Sequence, residues 1–462
     1  MFSVNRSIRA AALSEPRISG SSTTPLVIWV AAALYVLSTQ KYLVRDALST
    51  STGPQGLIEA GLIGTAFLLA LGGAIRDGWV RPVTVPLILL ALFGLLALAS
   101  SAYSFWPPLS IVKALLYLAV LALAHLANGL CGPWKMLRCL YWCYISTVLV
   151  GLAVGLCAGS HYPLLSTDDY SGRTRLGLFA TFPGTEGELA AIMFLVGRGL
   201  PKPPHWYWQG LLLGVNIAAA GKTSTVALAG VLALEFLLKR RRRNSWLRLS
   251  NVSAAVACLL LICFIAAFSG HSSSPSEGVS GKAAVALESI YGNQVAVEAR
   301  SLDGRSDVWQ AAVSILPKCL WLGFGFDGAR DFLLRAIPWS GSSHNGILEL
   351  MLTAGIPGAI CFLTAWMICA RASFRSSVPV PSRFASLHVF LGIISMTGII
   401  VVFPSYLFGF LLVSCYEALI YNALPASGEA IPALTAPCSE STTGRLRACP
   451  ERSLVGGGIK SV

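Results

Sequence analysis

Charge is scarce in this chain: Asp, Glu, Lys and Arg together make up 12% of its 462 residues, against roughly 25% in a typical soluble domain. Hydrophobic residues make up 55% of the sequence, and the mean hydropathy is +0.68. This balance excludes an ordinary soluble globular protein, and the length does not divide the chain into soluble domains. The composition predicts an all-α, polytopic membrane protein instead.

Three further features are missing from the sequence: a signal-peptide cleavage motif, a disulfide framework and a basic face. Their absence narrows the class of membrane protein. No small-x-small cleavage motif follows the first apolar stretch, 26–37, so that stretch is predicted to remain as a first membrane helix rather than to act as a cleaved signal peptide. Most of the 12 cysteines lie in or beside apolar runs, which excludes a disulfide framework. The net charge of +13 is spread over short breaks rather than gathered on a basic face, so no nucleic-acid partner is expected.

The hydrophobic residues are gathered into runs long enough for membrane helices. A bilayer core about 30 Å thick needs roughly 20 apolar helical residues. Gly and Pro occur in the breaks that separate the apolar runs, as at 132–133 and 201–204. We therefore predict a bundle of about 12 transmembrane helices, with the approximate limits 25–42, 56–75, 82–100, 109–128, 137–158, 184–198, 206–221, 223–239, 250–268, 345–369, 385–403 and 405–423.

The distribution of Lys and Arg predicts the orientation, because cytoplasmic breaks carry an excess of both residues. With the N-terminus inside, 22 of the 34 basic residues fall in inner segments, among them the run KRRRR at 239–243. Both termini are then cytoplasmic. The predicted organisation is a cytoplasmic segment 1–24, transmembrane helices one to nine in 25–268, an extracytoplasmic loop 269–344, helices ten to twelve in 345–423, and a disordered cytoplasmic tail 424–462.

The outer segment 269–344 is much longer than the other breaks. It opens with Ser and Gly, and the later stretch GRSDVWQAAVSIL then predicts a helix over 304–316. One face of that helix carries Val308, Ala311, Ala312 and Ile315. A Gly turn at 323–325 and a second amphipathic helix near 327–336 follow. We expect these helical hairpins to lie on the outer leaflet, where such a loop covers reacting groups and excludes water.

The cations predicted on the outer side each have two interpretations. Lys222 follows Gly221 in a tight turn between two apolar runs, so it is either a lysine that snorkels to the interface or an anchor for a phosphate group. Arg305 either pairs with a neighbouring aspartate or offers a forked guanidinium to phosphate. Arg175 lies on the same side. The outward histidines are too scattered for a metal cage, and we predict no metal site.

A His-Asn pair marks the entry to the tenth predicted helix, in SGSSHNGILEL. His344 is either a polar helix-entry residue beside a capping serine, Ser342 or Ser343, or a catalytic group. Asn345 is either the cap or a residue that orients the imidazole. These alternatives stay open on the residues alone.

Ionisable residues inside the predicted helices need polar surroundings, since a charge in the membrane is costly. Glu349 lies one helical turn past Asn345 and on the same face. Lys113 lies inside the fourth predicted helix. Three more acids, Glu59, Glu235 and Glu417, either line the bundle interior or pair with Lys113.

The stretch GRSDVWQAAVSILPKCLWLGFGFDGARDFL, followed by SSHNGILELMLTAGIPGAI, resembles the bacterial O-antigen ligase and O-antigen or exopolysaccharide polymerase superfamily. In that family a G-R-x-x-x-W helix leads through a G-x-G turn to an H-N-x-x-L helix with two later glycines. The matching residues here are Gly304, Arg305, Trp309, Gly323, Gly325, His344, Asn345, Leu348, Gly355 and Gly358. RTRLGLF also resembles the family's R-x-x-G-x-F segment, with Arg175 and Phe179, although Pro183-Gly184 replaces the usual Pro-Asn.

The resemblance implies a GT-C-like, metal-independent glycosyltransferase of the bacterial inner membrane, with no cofactor. It implies transfer of a saccharide from undecaprenyl pyrophosphate to a sugar hydroxyl on the outer, periplasmic face. His344, with a pKa near neutrality, would then accept the hydroxyl proton. Arg305, Lys222 and Arg175 would offset the charge of the departing diphosphate. Lys222 stands where the family commonly has an arginine, which keeps the charge but loses the fork.

The expected partners are the lipid-linked donor, a glycan or lipid A core acceptor, membrane lipids and other polysaccharide assembly proteins. Ligase and polymerase differ only in the acceptor, which the sequence does not identify. A transporter or flippase of lipid-linked oligosaccharides is the alternative from another class. It predicts two halves with matching broken helices, whereas the sequence shows no internal repeat.

Overall fold

The structure is a computed structural model in which the described residues are 24–40, 54–78, 82–158, 164–167, 174–179, 183–219, 222–241, 305–337, 340–375, 382–396 and 406–422. These residues are almost entirely helical. The helices are α1 (Thr24–Ser38), α2 (Pro54–Arg76), α3 (Val85–Ser100), α4 (Pro107–Cys131), α5 (Pro133–Ala158), α6 (Pro183–Gly199), α7 (Trp206–Ala218), α8 (Lys222–Arg241), α9 (Arg305–Ile315), α10 (Arg330–Ala336), α11 (Gly346–Arg375), α12 (Ser382–Ser395) and α13 (Leu407–Asn422).

A helix occurs at every predicted membrane run that lies within the described residues, and the run 250–268 lies outside them. Among the described residues, five helices are long and apolar enough to cross a membrane: α2, α3, α4, α5 and α11. Shorter apolar helices accompany them at 26–38, 223–235, 384–395 and 407–420. The chain is thus a multi-pass helical membrane protein, and the total of about 12 spans stays a prediction.

The centre of the bundle is aromatic and lies where α3, α4 and α11 meet. Phe93 of α3 makes edge contacts with Tyr117 of α4 at 5.4 Å and with Phe362 of α11 at 5.4 Å, measured between ring centroids. All three side chains are at most 1% exposed. A side chain at Gly94 would meet Leu118 at 2.7 Å, so the missing Cβ lets α3 and α4 approach closely.

Helix α11 is kinked at Gly355, and the loop around residues 323–325 binds to the backbone at this kink. Gly355 has φ +67°, and Pro357 has no N–H to offer the carbonyl of Thr353. The N–H of Gly325 donates to that carbonyl at 2.9 Å, and the N–H of Phe324 donates to Leu352 O at 2.7 Å. The loop therefore supplies hydrogen bonds that the interrupted helix cannot make for itself.

Two glycines make this docking possible. A Cβ at Gly323 would lie 2.5 Å from the backbone of Thr353, and a Cβ at Gly355 would lie 2.5 Å from the backbone of Trp321. Neither backbone segment has room for a side chain at these positions. The G-x-G turn predicted at 323–325 is confirmed, with φ +70° at Gly323 and +79° at Gly325.

The hairpin formed by α9 and α10 has a small core of its own against the start of α11. The predicted helix over 304–316 is confirmed as Arg305–Ile315, and Trp309, Ala312 and Leu348 are among the residues of this core. The expectation that the hairpins lie on the leaflet surface is wrong for the turn after Gly325. Phe326 is fully buried and contacts Phe93, Tyr117 and Tyr406, so the turn enters the bundle.

A short antiparallel hairpin interrupts the helical pattern between α5 and α6. Strands β1 (Leu165–Thr167) and β2 (Thr174–Leu176) pair with Leu165 opposite Leu176 and Ser166 opposite Arg175. The hairpin does not follow from the sequence pattern. Its second strand contacts α7, which places Arg175 near the helix that leads to Lys222.

Candidate active site

His344 lies in the turn that enters α11, and its backbone is in an uncommon conformation. Its φ is +48°, in the left-handed region where His is one of the better tolerated side chains. The residues on both sides, Ser343 and Asn345, are at most 1% exposed and hydrogen-bonded, whereas His344 is partly exposed. The strained residue is therefore held by two buried neighbours, a pattern that is common at functional sites.

Asn345 is the N-cap of α11. Its Oδ1 accepts the N–H groups of Ile347 at 3.0 Å and Leu348 at 3.1 Å. Its Nδ2 donates to the carbonyl of Met396 at 3.3 Å, which ties the cap to the end of α12. Both ends of the amide thus bond the backbone, and the cap is Asn345 rather than either of the serines proposed for it.

Ser343 and Glu349 lock the turn onto the first turns of α11. Glu349 Oε2 accepts the N–H of Ser343 at 3.0 Å and lies 2.7 Å from the Ser343 hydroxyl. That hydroxyl also lies 2.9 Å from the carbonyl of Asn345. The buried carboxyl of Glu349 is thereby satisfied by the same turn that presents His344.

Arg305, the first residue of α9, lies close enough to His344 for its charge to act on the imidazole. Burial and then the Arg305 cation lower the pKa of His344 from 6.5 to about 4. The expectation of a pKa near neutrality is therefore wrong for the protein without substrate. Both causes disfavour the imidazolium, so the ring is neutral at pH 7 and is able to accept a proton.

The charge inside α4 is paired with the loop rather than with another membrane helix. Lys113 forms an ion pair with Asp327, which has φ +55° in the turn after Phe326. Glu349 is near enough for its charge to interact with both. Two of the three acids proposed as partners of Lys113 have others: Glu235 pairs with Arg198, and Glu417 pairs with His125.

The structure brings Arg305, His344, Asn345 and Glu349 together at one end of the bundle. Arg175 lies in β2 and is partly buried. Lys222 is the first residue of α8, but its side chain lies outside the described part of the structure. The phosphate-binding roles of Arg175 and Lys222 stay predictions.

Two acids of α6 are not among the residues predicted for the site from the sequence. Glu188 interacts electrostatically with Arg305, which makes it a neighbour of the His344 site. Glu186 is fully buried and accepts the hydroxyl hydrogen of Tyr144 at 2.6 Å on Oε1. Both belong to GTEGELAAI, where two carboxyl groups in an otherwise apolar helix were the available signal.

A metal-binding cluster is not found among the described residues, since they contain no group of three His, Cys, Asp or Glu side chains placed to hold an ion. The charged group that acts on His344 is the Arg305 guanidinium, which interacts in turn with the acid Glu188. A guanidinium with a neutral imidazole is suited to binding an anion and accepting a proton at the same place.

Comparison with known proteins supports the resemblance found in the sequence. Residues 210–363 match the family model of O-antigen ligase. The match begins within α7 and includes α8, the Arg305 helix, the His344 turn and the kink of α11. No curated protein matches the chain. The resemblance to the O-antigen ligase family is thereby confirmed.

Proposed function

We propose that this O-antigen ligase-like chain is a membrane glycosyltransferase that moves a saccharide from undecaprenyl pyrophosphate to a sugar hydroxyl, in surface polysaccharide assembly. The observation that carries the proposal is the juxtaposition of the Arg305 cation and a neutral His344 at the mouth of α11. The matched segment, 210–363, contains both residues and supports a glycosyl-transfer enzyme. We place this site on the periplasmic face of the inner membrane, as the Lys and Arg distribution favours.

The chemistry is a single displacement at the anomeric carbon. The acceptor oxygen forms a bond to that carbon while the bond from the carbon to the carrier's phosphate oxygen breaks. The hydroxyl proton passes to the His344 imidazole, and the carrier leaves as undecaprenyl pyrophosphate. Attack opposite the leaving group inverts the anomeric centre. Arg305 offsets the charge that grows on the diphosphate, and we propose that Lys222 and Arg175 assist without a metal ion.

The low pKa of His344 fits this scheme because binding of the donor would raise that pKa. Arg305 disfavours the imidazolium in the free protein. A diphosphate that binds Arg305 brings negative charge to the same place, which offsets the cation and raises the pKa of His344. The imidazole then becomes a stronger base only when the donor is bound, so proton transfer is coupled to the presence of the leaving group.

The surrounding residues have positioning roles in this proposal. Asn345 and Glu349 fix the turn that presents His344, through the bonds to Leu348 and Ser343. Glu188 lies near enough to Arg305 for the two groups to interact electrostatically before the donor arrives. None of these three groups needs to touch the reacting atoms for the turn and the guanidinium to be held in place.

A transfer assay with the purified full-length protein in proteoliposomes tests the proposal. The donor is undecaprenyl pyrophosphate carrying a labelled oligosaccharide, supplied with either a lipid A core acceptor or a second oligosaccharide chain. A glycosyltransferase moves the label to one of the two acceptors and releases undecaprenyl pyrophosphate. If the label stays on the carrier and only changes leaflet, the protein is a flippase and the proposal is wrong.

A matched substitution separates the role of Lys222 from that of a snorkelling lysine. Lys222→Arg keeps the positive charge, whereas Lys222→Ala removes it. If Lys222 holds phosphate, we expect transfer to survive in Lys222→Arg and to be lost in Lys222→Ala. Equal transfer by the two variants would contradict a phosphate-binding role.

A further inference from the structure

A second basic site lies at the end of the bundle opposite to His344. Helix α4 (Pro107–Cys131) begins beside the candidate active site, where Ser110 donates a hydrogen bond to Phe326 O. A helix of this length spans about 37 Å. Beyond its far end, the start of α5 and the turn 199–205 enclose a cleft of about 240 Å³.

Three cations line this cleft, and none of its lining residues in the described part of the chain is acidic. The lining residues are Trp134, Lys135, Arg138, Leu200, Pro201 and Lys202. Lys135, Arg138 and Lys202 are exposed, and none of them forms an ion pair with another residue in the described part of the chain. Three unpaired cations around one small cleft repel one another, so an anion between them would lower the energy of the arrangement.

The backbone adds positive potential at the same place. Pro133 is the first residue of α5, and the N–H groups of Trp134 and Lys135 belong to its first turn. The first N–H groups of a helix have no intrahelical acceptor, and the helix dipole makes that end positive. The cleft thus combines a helix N-terminus of a 26-residue helix with three side-chain cations, which is the chemistry of a phosphate site.

The floor of the cleft is formed by close packing. The Trp134 ring stacks on Phe384 with centroids 5.4 Å apart and an angle of 17° between the planes. A Cβ at Gly199 would lie 2.5 Å from Phe384, and the next residue, Leu200, is 2% exposed. The indole N–H of Trp134 is buried and has no acceptor among the described residues. The backbone segments that carry the three cations are therefore packed firmly against each other.

The neighbouring aromatic residues indicate where the anion comes from. Trp206 and Tyr207, at the start of α7, are 82% and 49% exposed. Exposed Trp and Tyr at the ends of membrane helices lie at the level of the lipid headgroups. A basic cleft beside them faces the headgroup layer, and its volume suits one phosphodiester group rather than a sugar chain.

We propose that the cleft between the start of α5 and the turn 199–205 binds the headgroup phosphate of an anionic phospholipid. Basic clefts between membrane helices are a known mode of headgroup recognition. Lys135, Arg138 and Lys202 contact the phosphate oxygens, and Trp134 packs beside them. This inference does not depend on the glycosyltransferase proposal, because the cleft is at the other end of the bundle.

Native mass spectrometry of the full-length protein with added lipids tests this site. The probe is phosphatidylglycerol, with zwitterionic phosphatidylcholine as the reference lipid. The test variant is Lys135→Gln/Arg138→Gln/Lys202→Gln. The control variant, Arg76→Gln/Arg371→Gln/Arg375→Gln, removes the same charge from the same end of the bundle at residues outside the cleft. Melting temperatures without lipid establish that both variants are folded.

We expect the test variant to bind phosphatidylglycerol about tenfold more weakly than the wild type, while the control variant changes binding less than twofold. Weakening of equal size in both variants would show that only general surface charge attracts the lipid, and the site would be rejected. Displacement of bound phosphatidylglycerol by an equal concentration of inorganic phosphate would overturn the assignment to a lipid headgroup. Retention of the lipid under that condition supports it.

Discussion

The charged residues around the His344 turn and the cations of the basic cleft at the opposite end of the bundle differ in burial and in pairing. At the His344 end, Lys113, Asp327 and Glu349 are withdrawn from solvent and bonded or near one another. At the other end, Lys135 and Lys202 are exposed and have no partner in the described part of the chain. Buried polar networks fix geometry, whereas exposed cations on a firm surface remain available to ligands. The first arrangement suits a reaction site and the second suits a reversible binding site.

The largest expected effect comes from the guanidinium beside His344. Arg305→Gln removes the cation that we assign to the diphosphate, and we expect transfer to fall by roughly 100-fold or more. Arg335→Gln is the matched control, since Arg335 is 80% exposed on the same loop and pairs with Asp331 one helical turn away. Initial rates of labelled oligosaccharide transfer measure both variants. Equal rates in the two would remove Arg305 from the site.

The docking of the loop into the kinked helix is expected to be the next most sensitive feature. Gly323→Ala puts a Cβ 2.5 Å from the backbone of Thr353. The clash would break the hydrogen bonds that the neighbouring residues Phe324 and Gly325 donate to α11. We expect a loss of about 3 kcal/mol, since buried backbone hydrogen bonds are lost with it. Gly214→Ala is the control, because nothing lies within 4 Å of a Cβ there. Thermal unfolding in detergent compares the two, and similar melting temperatures would contradict the docking account.

The stability lost on breaking the ion pair of Lys113 and Asp327 can be compared with that lost on breaking an exposed ion pair at the opposite end of the bundle. Lys113→Met leaves Asp327 without its cation, and we expect a loss of about 2 kcal/mol because Asp327 is only 18% exposed. Arg76→Gln breaks an exposed pair at the other end, with Asp77, and is expected to change stability by about 0.5 kcal/mol or less. Adding Asp327→Asn to Lys113→Met should restore part of the loss. Unfolding of the four proteins in detergent gives the comparison.

The smallest predicted effect is a shift in the titration of His344. Arg305 is the second cause of its lowered pKa, so Arg305→Gln raises the pKa from about 4 toward 6.5, while burial still holds it below that value. Modification of neutral histidine by diethyl pyrocarbonate, followed at the His344 peptide by mass spectrometry, reports the pKa without needing activity. Between pH 7.5 and 5.5 the rate of His344 modification in the wild type should not fall, because the imidazole stays neutral over this range. The Arg305→Gln rate should decline, and parallel profiles would contradict the proximity.

The sequence predicts those parts of the structure that local pattern determines. The helix from Arg305 to Ile315 follows from its apolar face, and the turn at Gly323 follows from its glycines. The second loop helix begins at Arg330 rather than near residue 327, because Asp327 has positive φ and turns its carboxylate to Lys113. That partner is 214 residues away along the chain, so no local pattern indicates it.

The sequence predicts which residues belong to the candidate site, but it does not predict the electrostatics around them. The sequence motifs indicate His344, Asn345 and Arg305, and the structure places these residues at the same end of the bundle. The pKa of His344 was misjudged because it depends on burial and on a cation 39 residues earlier in the chain. Glu188 was missed for the same reason, since its relation to Arg305 exists only in the folded chain.

The most direct measurement of the central claim is single-turnover transfer by His344→Asn with the donor already bound. Asparagine tolerates the positive φ of residue 344 but cannot take the hydroxyl proton. We expect donor binding to remain within about threefold of the wild type and transfer to fall by roughly 100-fold or more, with His205→Asn, at the exposed start of α7, unchanged. Transfer by His344→Asn at the wild-type rate would contradict the account.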